Sequence, residues 1–115
     1  MPTRIPLALL AILALVATSA PAASAAAPPK GKYGCTVGGI FGGNLFILSK
    51  NRYRVDKSKV GKFRSKGKKL TFPSGVYKGL YRGRWYKTNG GGVEIALRSL
   101  ESGFESTYCD LEKRG

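Results

Sequence analysis

The side chains that most often carry catalysis are scarce in this chain. There is no histidine, so there is no imidazole base, no Ser-His arrangement and no His-based metal site. Two cysteines occur, Cys35 and Cys109, with no Cys-x-x-Cys pair and no third thiol. A pair of carboxylates can act as acid and base, and Glu101 and Glu105 are the nearest candidates. They flank Gly103 in what reads as a solvent-facing turn. The residue types therefore point to a protein that binds rather than catalyses, with no metal and no cofactor.

Positive charge is what the chain has in excess, with a formal net charge of +14. Lys30 to Lys87 holds sixteen Lys or Arg against one acid, Asp56. From Thr88 onward three bases (Arg98, Lys113, Arg114) face five acids (Glu94, Glu101, Glu105, Asp110, Glu112). The densest run is Lys50, Arg52, Arg54, Lys57, Lys59, Lys62, Arg64, Lys66, Lys68 and Lys69, followed later by Arg82, Arg84 and Lys87. Solubility does not need that density, and self-repulsion opposes a compact fold. These thirteen residues are the expected contact for a polyanion. The candidates are an anionic cell-wall polymer, an acidic polysaccharide or an anionic lipid surface, with nucleic acid as a lesser one.

The bases alternate with apolar residues. Arg52 and Arg54 flank Tyr53, Lys62 and Arg64 flank Phe63, and Arg82 and Arg84 lie between Tyr81 and Trp85. Residues i and i+2 share one face of a strand. The bases are thus expected outward, and Tyr53, Phe63 and Trp85 inward as core. A base-stacking platform needs aromatics and bases on the same face, which this alternation opposes.

Gly38-Gly39-Ile40-Phe41-Gly42-Gly43 has the glycines of a phosphate loop but neither the following Lys-Ser/Thr nor a helix. It is expected to be a flexible connection between the first two strands. Ile40 and Phe41 would be exposed there, as a contact point or a lid over a barrel mouth.

The elements that must position these residues follow from the rest of the chain. Met1 to Arg4, the apolar run Ile5–Val16 and the small residues after it have the order of a secretory signal peptide. The run is 12 residues, whereas a spanning helix needs about 20, so no transmembrane anchor is expected. Cleavage before Ala26 would leave residues 26–31 as a short disordered leader and 32–115 as a single β-domain, expected to be a secreted or periplasmic, cell-envelope monomer. A domain of that size buries only about 60% of its unfolded surface, which calls for a staple. Export places the thiols in an oxidising compartment, and two cysteines have one intramolecular pairing, Cys35–Cys109.

All 16 glycines lie from Gly31 onward, between short apolar stretches. Strands are expected at 32–37, 44–49, 52–56, 59–65, 69–72, 80–87, 93–98 and 104–111, at the spacing of a sandwich or barrel. The segment 94–102 also fits a helix with Glu94 and Arg98 paired, but its period-2 pattern favours a strand. The fold class expected is all-β, a small antiparallel up-and-down meander or barrel of about eight strands. The first and last strands would meet, closed by the disulfide.

Gly31-Lys32-Tyr33-Gly34-Cys35, then Leu70-Thr71-Phe72-Pro73-Ser74-Gly75, then Tyr108-Cys109 resembles small exported bacterial proteins of unknown function that share this pattern. The outline is also similar to lipocalin- and avidin-like meander barrels, and that resemblance implies binding rather than catalysis. The leading expectation is polyanion binding at the cell envelope. The alternatives are an extracellular enzyme inhibitor of lipocalin-like barrel type, acting through Gly38–Gly43, and small-ligand binding in the barrel. An interior filled by Tyr53, Phe63, Phe72 and Trp85 would exclude the last.

Overall fold

The structure, a computed structural model, describes residues 26–115. The export-signal reading of residues 1–25 falls outside the described residues. The described chain is all-β, with nine antiparallel strands and no helix. They are β1 (Gly31–Val37), β2 (Ile40–Ile47), β3 (Arg52–Val55), β4 (Gly61–Lys62), β5 (Arg64–Lys66), β6 (Lys69–Thr71), β7 (Tyr81–Lys87), β8 (Val93–Ser99) and β9 (Glu105–Arg114).

The sheet order is β4-β3-β2-β1-β9-β8-β7-β6-β5. Each strand lies beside its sequence neighbour, and the first lies beside the last. The two edges, β4 and β5, are halves of one segment interrupted only at Phe63. The sheet therefore curls round until it nearly closes on itself as an up-and-down barrel. Counting β4 and β5 as one stave gives eight, as the strand spacing predicts. The expected single strand 59–65 is replaced by these two halves. Phe63 turns its buried ring into the core, and its N–H donates to the Asn51 carbonyl at 2.9 Å.

Cys35 and Cys109 stand directly opposite in the β1–β9 ladder, bonded to each other with Cα atoms 3.9 Å apart. The disulfide thus staples first strand to last. Segment 94–102 begins as strand β8, not helix.

Gly38–Gly43 is mostly strand, which corrects its reading as a flexible connection. Val37 pairs with Ile40 across a two-residue turn. Gly38 and Gly39 hold φ of +61° and +85°, the left-handed pair that a tight hairpin of matching twist requires. The register slips between Cys35 and Thr36, leaving Gly42 unpaired as a bulge. Bulges of this kind bend a strand and help a sheet curl. Further slips occur between Lys32 and Tyr33 on the β9 side and between Leu97 and Arg98.

The core is one cluster. Tyr33, Leu45, Ile47, Tyr53, Phe63, Leu70, Phe72, Tyr77, Trp85, Val93, Ile95 and Leu97 pack with the disulfide. Tyr53, Phe63, Phe72 and Trp85 all lie in it, so aromatic side chains fill the barrel interior. The β6–β7 connection, residues 72–80, folds back over one mouth. Its Phe72 and Tyr77 rings pack on Tyr53, with Tyr77 stacked at 5.4 Å between centroids. The approach is close: a Cβ on Gly61 would lie 2.5 Å from the Gly75 Cα.

Residues 26–31 differ from the disordered leader expected of them. Gly31 opens β1 and Pro28 is buried. The Pro29 carbonyl accepts a hydrogen bond from the Tyr33 hydroxyl at 2.6 Å. A Pro-rich tract has little conformational freedom to lose, and here it lies against the barrel's open end.

Candidate functional site

The outer wall of β3 to β8 carries the bases. Arg52 and Arg54 lie on β3, Lys62 on β4, Arg64 and Lys66 on β5, Lys69 on β6, and Arg82, Arg84 and Lys87 on β7. Lys50, Lys57, Lys59 and Lys68 occupy the adjoining turns. All are exposed except Arg54, which is half-buried. Between them Tyr53, Phe63 and Trp85 point into the core, with 0%, 1% and 6% exposure. Period-2 geometry therefore sorts the alternating sequence into an aromatic inside and a cationic outside.

The ladder sets like charges against each other. Arg52 pairs directly with Lys62, Lys66 with Lys69, Lys69 with Arg84, and Arg82 with Arg98. Directly opposite residues on an antiparallel pair are close neighbours on one face, and like charges there destabilise the sheet. Arg98 belongs to this wall although it lies in the anionic last third of the chain. The hairpin register around Asn89–Gly92 is the signal that finds it, because pairing Lys87 with Val93 carries Arg82 onto Arg98.

β6 pairs with β7 only at Lys69–Arg84 and Leu70–Gly83. Beyond that point an open cleft of about 350 Å³ is lined by Lys69, Thr71, Arg82, Arg84, Arg98 and Glu105, over Leu70 and Gly83. Arg84 is partly spoken for. Its Nε and Nη2 both bond the Glu105 carboxylate, the latter at 2.9 Å, and its guanidinium lies 4.6 Å over the Tyr86 ring. That hydrogen bond holds the Glu105 carboxyl below its ordinary range. Glu105 is thus the counter-ion of Arg84. Two further bases rest on rings, Arg54 on Phe46 at 4.7 Å and Lys68 on Trp85 at 3.6 Å. The remaining bases of the wall have no ion pair among the described residues, where the salt bridges are Arg84–Glu105 and Lys32–Glu112.

Three of the six acids, Glu94, Asp110 and Glu112, lie together on β8 and β9. Glu94 pairs with Asp110 across β8 and β9, and Asp110 lies opposite Gly34. A hydrogen bond shared with Glu94, partial burial and the charges of Glu94 and Glu112 push the Asp110 carboxyl up to about 6. Among the described residues no three such groups are arranged to hold a metal ion. An acid whose folded pKa is raised opposes folding once ionised. Its penalty is absent below about pH 4 in both states, grows through the pH 4–6 window and is complete above it. Asp110→Asn is therefore expected to raise the thermal midpoint at pH 7.5 and leave it unchanged at pH 3.5. Equal shifts at both pH values in calorimetric scans would exclude a role for this proton.

Exposed apolar side chains are also unevenly placed. Val37, Ile40 and Phe41 belong to the β1–β2 hairpin, and Val60 to the turn after β3. Val76 and Leu80 lie in the β6–β7 connection, and Leu100 and Phe104 in the β8–β9 turn. The meander puts these four connections at one end of the barrel. The other end carries the β2–β3, β5–β6 and β7–β8 turns and both described termini, and among the described residues no large exposed apolar one. No helix among the described residues is long and apolar enough to cross a membrane. Comparison with known protein families, with curated proteins and with solved structures finds no match for this chain.

Proposed function

We propose that the protein is a non-catalytic binder of anionic polymers or surfaces at the cell envelope, acting through the basic wall of β3 to β8. The observation that carries this reading is the set of four directly opposed like-charge pairs. A sheet that spends stability on Arg52–Lys62, Lys66–Lys69, Lys69–Arg84 and Arg82–Arg98 recovers it when phosphate, sulfate or carboxylate groups settle between the bases. Burial of Tyr53, Phe63, Phe72 and Trp85 in the core favours the outer wall over the barrel interior as the binding surface.

The test is retention on heparin, a teichoic acid and DNA across a salt series. Log affinity is expected to fall linearly with log salt, with bound polyanion raising the thermal midpoint. The double variant Arg82→Gln, Arg98→Gln is expected to reduce the slope by roughly 1–2 against DNA. Loss of all retention near the roughly 0.15 M of physiological salt would sink the reading, as would a slope unaffected by the variant.

A further inference from the structure

The apolar end of the barrel is not explained by polyanion binding alone. Ile40 and Phe104 are each 74% exposed and Phe41 63%. Ile40 and Phe41 are consecutive on β2, so they point to opposite faces, yet both are exposed at the hairpin tip. Leu80 and Leu100, in two connections at the same end, are joined by the Leu100 N–H donating to the Leu80 carbonyl at 2.9 Å. Exposed apolar clusters of this kind mark interaction sites.

The same end carries charge of one predominant sign. Lys57, Lys59 and Lys78 lie in its turns, and Arg82 and Arg98 lie on the adjoining strand ends. Three acids share it. Asp56 accepts from the Asn44 N–H at 3.0 Å, Glu105 is held by Arg84, and Glu101 is exposed. Apolar side chains carried on separate connections at one end, with bases in the same turns, suit a fluid surface that admits each independently. A rigid protein pocket would need them on one face.

We infer that this end seats the barrel on an anionic lipid surface. Ile40, Phe41 and Phe104 enter the acyl boundary, and Lys57, Lys59 and Lys78 meet the headgroups. The inference rests on the polyanion reading and commits it, at this end of the molecule, to a lipid source of negative charge.

Trp85 is the one tryptophan of the chain and is buried, so an added tryptophan reports its own surroundings. The full chain carrying Phe41→Trp, or Asn89→Trp at the opposite end, is mixed with vesicles of phosphatidylcholine with and without phosphatidylglycerol. Phe41→Trp emission is expected to shift blue and to be quenched by brominated acyl chains on the phosphatidylglycerol vesicles. Asn89→Trp is expected to respond to neither. Adding Ile40→Ser and Phe104→Ser to Phe41→Trp is expected to weaken that response about tenfold per residue and to leave heparin retention unchanged.

Equal responses at the two ends overturn the inference, as does silence at position 41 with vesicles present. A blue shift that rises with protein concentration without lipid assigns the end to a second copy of the chain and also overturns it. Heparin retention with a silent position 41 overturns the lipid inference and leaves polyanion binding standing. A response of equal size on neutral vesicles, with no heparin retention, overturns the polyanion reading beneath it.

Discussion

Replacing Cys35 and Cys109 together by alanine is expected to lower the unfolding free energy by about 4–5 kcal/mol. The bridge spans 74 positions, and loop-closure entropy lost from the unfolded chain grows with that span. Small domains have only about 5–15 kcal/mol in total, so the variant is expected to be largely unfolded at 37 °C. Both cysteines also lie in the core, Cys109 opposite Ile95, and truncation adds a small cavity to the entropic loss. Denaturant titration of the oxidised protein and the variant measures the difference directly. A shift below about 1 kcal/mol would mean that the β1–β9 pairing holds the unfolded ends together without the bridge, against the chain-entropy account.

The second large effect is expected at Tyr53. Its ring is fully buried and touches Phe63, Phe72 and Tyr77. Its hydroxyl donates to the Ser74 carbonyl at 2.8 Å and accepts from the Tyr77 N–H at 2.9 Å. One side chain therefore holds the 72–80 connection over the barrel mouth by both packing and hydrogen bonds. Tyr53→Ala is expected to cost about 3–5 kcal/mol as a core cavity. Tyr53→Phe keeps the ring and strands two backbone groups, for about 1–3 kcal/mol. Hydrogen exchange separates the two roles. Tyr53→Phe is expected to speed exchange in residues 75–81 and to leave β1 and β9 protected, and uniform acceleration across the barrel would contradict this account of the clasp.

Much of this architecture is legible in the sequence. Period-2 alternation marks the inward aromatics Tyr53, Phe63 and Trp85, and the glycine clusters mark the hairpins. Two cysteines in one short domain leave a single pairing. What is not legible depends on contacts between distant strands. The break at Phe63 arises because segment 61–66 has β3 on one side and β6 on the other, a sharing that no local pattern announces. Gly38–Gly43 reads as a loop because glycines look like punctuation, whereas Gly42 is a bulge that bends β2. Arg98 joins the basic wall only through hairpin register. The apolar end is visible only once the meander has gathered four separate turns, since each apolar residue there is unremarkable in its own stretch of chain.

The adjacency of β1 and β9 also has a consequence in time. Chains are made from the N-terminus, at roughly 5–20 residues per second, so β1 waits several seconds for the strand that will cover its second edge. In that interval an unpaired edge is open to other chains, and no N-terminal fragment can relieve it. Long-range pairing of this kind also slows folding, because the loop must close before its contacts form. The last 10 residues in strand, Glu105–Arg114, decide when the first strand stops being an edge, and a chain cut short of them has no way to finish.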